Sequence, residues 1–219
     1  MGFFKKQMAN IIEWEEKDEG VIFWKWNDNQ IKKGSILIIR PGQDAVFMID
    51  GRIEGIFEDE GRYDVESQII PFLSSLKGAR FGFNSGVRAE VIFVNTRNIG
   101  VKWGTKGPVT IPSDSNPDGL LIRAFGSFEC RVSDYVALID TVAGIQDTYT
   151  VDDLKDKISA ELDQLLMKWI CREGTDIFNL QQNADGIAAG IKQDLDMKLF
   201  KSGITITNFT ISNFSYPDR

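Results

Sequence analysis

The sequence predicts an α+β protein in which a twisted antiparallel sheet packs with C-terminal helices and is closed by a helix–strand unit. Three observations carry that expectation. Residues 21–57 alternate short β-branched and aromatic runs with turn signals, as an antiparallel meander does. Residues 151–200 instead repeat apolar side chains at helical spacing. At Ser202-Gly203 the period switches to alternation, with Ile204 and Ile206 on one face and Thr205 and Thr207 on the other. Gly203 sits where a helix end takes a left-handed residue, so the strand turns back beside its own helix. The parity slips between Ile206 and Phe209, which predicts a bulge before Phe209 and Ile211.

The totals exclude several chemistries. A chain of 219 residues suits one large domain or two small ones and needs no staple. Its net charge of −7 argues against nucleic acid, whose binding rests on many Lys/Arg–phosphate contacts. That charge is uneven: residues 1–40 balance at +1, and the remainder carries −8. There is no histidine, so Ser-His-Asp, Cys-His and H-E-x-x-H sites are impossible. The two cysteines, Cys130 and Cys171, form no C-x-x-C pair and read as small buried hydrophobes in a reducing compartment, with a disulfide between them left open. No run of eighteen apolar residues offers a membrane-spanning helix, and Met1–Asn10 lacks the apolar core of a secretory signal.

Residues 1–18 read as an amphipathic N-terminal helix. At 100° per residue, Phe3, Phe4, Met8, Ile11, Ile12 and Trp14 fall within about half the circumference. Lys5, Lys6, Glu13 and Glu16 lie opposite, while Gln7 and Glu15 interrupt the stripe. Large aromatics beside lysines suit a helix lying in the membrane interface. The candidate membrane-surface residues are therefore Phe3, Phe4, Lys5, Lys6, Met8, Ile11, Ile12 and Trp14; docking on the chain's own body or on a neighbouring subunit is the alternative. Lys6 stands where a myristoylation signal needs Ser or Thr.

A β-rich part then runs over 19–132. Val21–Trp26, Ser35–Arg40, Ala45–Ile49 and Arg52–Phe57 are its first strands, and Asp50-Gly51 is a strong hairpin signal. Residues 66–76 predict a loop with a short helical turn. The Gly-rich stretch 77–86 fits neither phosphate-loop spacing and precedes a strand, so it predicts a turn or mobile loop. Arg88–Asn95 and Ile99–Trp103 are further strands, and Gly104–Gly119, with three prolines, is the least ordered-looking stretch. Leu120–Val132 alternates Ile122, Ala124, Gly126, Phe128, Cys130 and Val132 on one face, which turns Cys130 inward.

The helical part spans 133–203. Ser133-Asp134 caps a helix through Ile139. Thr150-Val-Asp-Asp153 starts another, with Leu154, Ile158, Leu162, Leu165, Leu166 and Trp169 on one face and its end at Gly174. A second long helix presents Leu180, Ala184, Ile187, Ala188, Ile191, Leu195 and Leu199 and extends about 30–36 Å. Gly186 and Gly190, four apart among polar residues, predict close helix packing. The final strand spans 204–214. Carboxylates at Glu58-Asp59-Glu60, Asp152-Asp153, Asp194 and Asp196 read as solvated charge, since nothing in their spacing forms an opposed acid–base pair or a Ca²⁺ loop. No catalytic, cofactor or metal residue is expected.

Four stretches carry a family resemblance. These are the closing unit 187–217, the string Ile39–Phe47 with its Arg-Pro-Gly-Gln-Asp-Ala-Val, the segment Gly55–Tyr63, and the strand 120–132 with the helix after it. Together they resemble the SPFH or band 7 family (stomatins, prohibitins, flotillins) over 19–217. The aromatic-rich start and the Gly104–Gly119 insertion look most like the bacterial virion-core-like branch. The resemblance implies a non-enzymatic, self-assembling scaffold, peripheral at the cytoplasmic, inner face of a cell membrane, that recruits partners such as a phage-shock-type envelope-stress protein. Two departures stand out. Many relatives carry an N-terminal membrane hairpin or span, and many continue past the Pro217 position, so a truncated chain is expected. The alternative is a soluble α+β ligand-binding or hydrolase domain with carboxylate chemistry, which needs two facing acids in a pocket.

Overall fold

The computed structural model describes residues 11–16, 18–26, 34–69, 89–113, 116–143, 146–173 and 177–216. The chain divides into two compact units, residues 1–97 with 145–148, and residues 98–144 with 149–219.

The first unit is built from two sheets. The smaller has the order β1-β3-β6, from β1 (Ile11–Glu13), β3 (Ile36–Ile39) and β6 (Gly61–Asp64). The larger contains β2 (Val21–Lys25), β7 (Ala89–Asn95), β4 (Gln43–Ile49) and β5 (Arg52–Phe57) in the order β2-β7-β4-β5. β11 (Thr148–Thr150), whose Thr148 end belongs to this unit, extends that sheet beyond β2. The predicted Asp50-Gly51 hairpin forms with φ of 49° and 76°, both in the left-handed region a two-residue turn requires. Apolar residues of both sheets share one cluster, among them Ile12, Leu37, Ile39, Phe47, Val91 and Phe93. Both faces of β4 are buried from Gln43 to Met48, which explains why its sequence reads as an apolar run without alternation.

The predicted N-terminal helix is corrected here for its described end. Ile11–Glu13 is a strand, pairing in parallel with Ile36–Ile38. Its two-residue period, with Ile12 buried and Ile11 half exposed, won over the imperfect helical stripe because β3 offers a partner edge. Phe3, Phe4, Lys5, Lys6 and Met8 lie outside the described residues, as do the turn at 27–29 and the stretch 70–88.

The second unit is a sheet of order β12-β10-β8, with β9 pairing the first half of β10. Its strands are β8 (Ile99–Gly104), β9 (Val109–Ser113), β10 (Asn116–Val132) and β12 (Ile204–Ser215). Its helices are α1 (Tyr135–Leu138), α2 (Val151–Glu173) and α3 (Ala184–Phe200). The stretch predicted as least ordered is corrected: Val109–Ser113 pairs with Asn116–Ile122, so its prolines sit at a hairpin and not in a loose insertion. From Leu121 to Val132 burial alternates without a break, and Cys130 faces inward as expected.

The closing unit forms as its sequence dictates. Gly203 has φ 71° and lies so close to the Asp134 carbonyl that a Cβ would collide with it. Its carbonyl accepts from the N–H groups of Ser133 and Asp134 at 2.9 and 3.2 Å. In β12 the pairing slips twice against β10, at Thr207 and at Ser212, so Ile204, Ile206, Phe209, Ile211 and Phe214 all point inward despite their uneven spacing. The first slip is the predicted bulge. Gly126 permits the second, because a Cβ there would strike the Thr210 backbone carbonyl. That close approach lets the Trp103 indole N–H reach across β10 to the same carbonyl at 3.2 Å. Trp103 also stacks on Phe209 at 5.1 Å.

Both long helices begin and pack for local reasons. α2 opens on a capping box: Thr150 N–H and Oγ1–H donate to the Asp153 carboxylate at 2.8 and 2.7 Å, and Asp153 N–H returns to Thr150 Oγ1 at 3.3 Å. α3 is shorter than expected. Leu180 is buried but belongs to a 3₁₀ stretch, Ile177–Asn183, and the α-helix starts at Ala184.

Candidate functional site

The proposed membrane-surface set divides within the described residues. Ile11 is 51% exposed, but Ile12 and Trp14 are 0% and 5% exposed. Trp14 stacks on Trp24 at 6.5 Å, and Trp24 on Phe93 at 6.1 Å. Both Ile12 and Trp14 therefore serve the core of their own unit, which corrects their assignment to a lipid-facing stripe. Polar contacts fix the same segment. Arg40 donates to Glu13 at 2.9 Å, and Arg97 donates to Glu16 at 2.8 Å and to the Pro41 carbonyl at 2.5 Å. The buried Gln43 amide donates to the Trp14 carbonyl at 3.2 Å and to Glu16 at 2.8 Å. From Ile11 onward the segment is thus strand and core, and any lipid contact would fall to the residues before it and to Ile11.

Three of the carboxylates singled out by sequence have partners of their own. Asp153 caps α2. Asp196 accepts from the Ile206 N–H at 2.8 Å, satisfying a donor of β12. Asp194 accepts from Lys168 at 2.6 Å and from the Trp169 indole at 2.8 Å. The hydrogen-bonded Lys168 ammonium holds the Asp194 carboxyl below the usual carboxylate range, against the opposing pull of partial burial. Asp163 shows the opposite: burial pushes its carboxyl up, with Lys106 only partly countering, and among the described residues its buried Oδ1 has no hydrogen-bond donor. No cluster of three metal-ligating side chains occurs among the described residues.

The cysteines are both free. Burial pushes the Cys130 thiol up to about 12, so at neutral pH it is an inert packing group. Cys171 is exposed on α2, which corrects the expectation that both are buried. It falls in the last turn of the helix, past the end of the apolar stripe.

Among the described residues, the exposed large apolar side chains other than Ile11 lie in the second unit. On the outward face of β10, Leu121 and Phe125 are 47% and 51% exposed, with Phe125 beside Gly104 on β8. On α3, Met197 and Phe200 are 59% and 64% exposed. Neither belongs to the apolar stripe that the sequence marks as the core face of this helix. The signal was there: Gly186, Ala189, Gln193, Met197 and Phe200 recur at helical spacing half a turn from Ile187, Ile191 and Leu195. Gly190 behaves as the expected close-packing residue, since the Trp169 ring occupies the space its Cβ would need. Gly186 does not, because nothing lies within 4 Å of its Cβ position.

The comparisons fit this arrangement. The family model described as "SPFH domain-Band 7 family" matches residues 21–219. A Bacillus subtilis (strain 168) protein, named only as uncharacterized protein YdjI, is 59% identical over 219 residues, which is all of this chain and 68% of that protein. Among the described residues no helix is long and apolar enough to cross a membrane.

Proposed function

Because the chain belongs to the SPFH domain–band 7 family, whose domain is a non-catalytic scaffold, we propose that it works as a peripheral membrane scaffold that self-assembles and recruits partner proteins. The observation that carries this reading is where the molecule spends its polar and apolar groups. Its carboxylates cap helices, satisfy a strand and bind an indole, while Leu121, Phe125, Met197 and Phe200 face outward. Such a surface suits association and not the turnover of a small molecule.

The lipid contact falls to Phe3, Phe4, Lys5, Lys6 and Met8 together with Ile11, aromatic and basic residues of the kind that settle at a lipid headgroup boundary. The inner face of a bacterial cell membrane, a virion-core-like branch and an envelope-stress partner of the phage-shock type are the finer parts of the proposal. Flotation with anionic liposomes tests it. Intact protein rises with the vesicles. Protein lacking residues 1–10, or carrying Phe3, Phe4 and Ile11 all replaced by Asp, stays at the bottom. Flotation that survives both changes rules the N-terminal contact out.

A further inference from the structure

The peripheral-membrane reading assigns its lipid contact to residues up to Ile11; the following inference rests on that reading and names a second contact, in the other unit. There α2 and α3 pack on one face of the sheet, and on the opposite face every second residue of β10 is exposed from Leu121 to Arg131. The two large apolar side chains on this face, Leu121 and Phe125, are 47% and 51% exposed. Directly beside Phe125 on β8 is Gly104, so no side chain of that strand flanks the ring, and on the β12 side its neighbour is the exposed Asn213. Two exposed cations stand close to the ring. Arg123 is two residues along β10, about 7 Å away, and Lys102 is the diagonal neighbour on β8, about 7–8 Å away. Among the described residues neither takes part in an ion pair, whereas Lys168 and Lys198 of the same unit are held by Asp194 and Glu161. The carboxylates of β10 lie farther off. Glu129 is about 13 Å along the strand, next to Arg131 on the same face, and Asp118 is at the hairpin end.

We propose that this part of the outward face is a second lipid-contact surface, on which Phe125 and Leu121 enter the headgroup boundary of an anionic bilayer and Lys102 and Arg123 meet lipid phosphates. Charge supports an anionic occupant: the chain carries −7 in all, yet two unpaired cations flank the one exposed ring of this face. The apolar area favours a bilayer over a protein. A stable protein interface buries about 800 Å² a side around a packed apolar core, and two apolar side chains on a flat sheet among serine, threonine and asparagine do not build one. A headgroup boundary needs no matching shape; it takes a few protruding apolar side chains and the cations beside them. Each Lys or Arg near an anionic surface strengthens binding about fivefold, and two therefore about thirtyfold. That adds to the N-terminal contact without replacing it.

The test measures partition of the full chain onto vesicles of phosphatidylcholine with phosphatidylglycerol, and onto phosphatidylcholine alone. On the anionic vesicles, Lys102→Glu with Arg123→Glu is expected to lower partition about tenfold or more, and Phe125→Ser about threefold or more. Circular dichroism and the melting temperature stay unchanged, because all three side chains are exposed. The same charge change at exposed positions elsewhere, Arg52→Glu with Lys201→Glu, is expected to lower partition by less than about threefold. Equal losses from the two double variants mean that only net charge is read, and overturn the proposal, as does full partition of Lys102→Glu with Arg123→Glu. If the face variants keep full partition but lose self-association in light scattering, the face meets protein and the lipid contact falls. If removal of residues 1–10 abolishes partition while the face variants retain it, the membrane reading stands and the second contact falls. If the intact chain binds neither vesicle, the membrane reading itself falls and takes the second contact with it.

Discussion

β4 in the first unit and β10 in the second are both central strands, yet they bury their residues in different patterns. β4 is buried on both faces from Gln43 to Met48, whereas β10 alternates buried and exposed from Leu121 to Val132. The same backbone geometry therefore yields an apolar run in one unit and a period of two in the other, according to whether one face or both are covered. The consequence reaches function. A strand covered on one side keeps a face for other molecules, and that face in the second unit holds Leu121 and Phe125. A strand covered on both sides has nothing left to offer.

This contrast can be broken by substitution. The largest effect is expected at Phe47, 1% exposed and packed edge-on against Phe57 at 5.3 Å. Phe47→Ala should cost about 4 kcal/mol of stability in urea unfolding. Next comes Gly126→Ala, about 3 kcal/mol, because the new methyl meets the Thr210 carbonyl and forces the bulge to reset. A loss of the Trp103 indole shift in fluorescence should accompany it. Gly190→Ala should cost about 2 kcal/mol by displacing the Trp169 ring, whereas Gly186→Ala, with room above it, should leave the monomer within about 0.5 kcal/mol of wild type or stabilise it through helix propensity.

The two acids on α2 and α3 sharpen the comparison by sign. Asp194 has a lowered folded pKa, so its contribution is fully present above the ordinary carboxylate value and is lost as pH falls through the lowered one. Asp163 has a raised folded pKa, so it favours the folded state in acid and loses that contribution as pH rises through the raised value. Asp194→Asn should therefore flatten the acid limb of stability against pH, and Asp163→Asn should raise stability near neutrality. Urea titrations between about pH 3 and pH 7 check both. The smallest effect is expected on the bare face: Phe125→Ser should change stability by less than about 0.5 kcal/mol, and a loss above about 1.5 kcal/mol would mean that face is covered in the folded protein.

Much of the second unit was legible in the sequence because its signals are local. The capping box at Thr150 and Asp153, the left-handed Gly203 and the inward parity of Cys130 each depend on residues a few positions apart. The bulge before Phe209 was legible for the same reason: two apolar pairs out of phase on one strand have only one way to share a core. The segment Ile11–Trp14 and the stretch 104–119 were not legible in this way. The strand Ile11–Glu13 exists because β3 lies beside it, and Val109–Ser113 is a strand because β10 extends back to Asn116. Neither partner is visible in the segment itself.

Composition and neighbours along the chain were enough for the family resemblance, the absence of histidine chemistry, the capped start of α2 and the turn at Gly203. Only the tertiary structure decided that Ile12 and Trp14 belong to the core, that Trp169 fills the space above Gly190 and leaves Gly186 bare, and that Met197 and Phe200 face outward. Those are questions of what lies across from a residue, and contacts between distant segments are fixed by packing and strand pairing that no local pattern encodes.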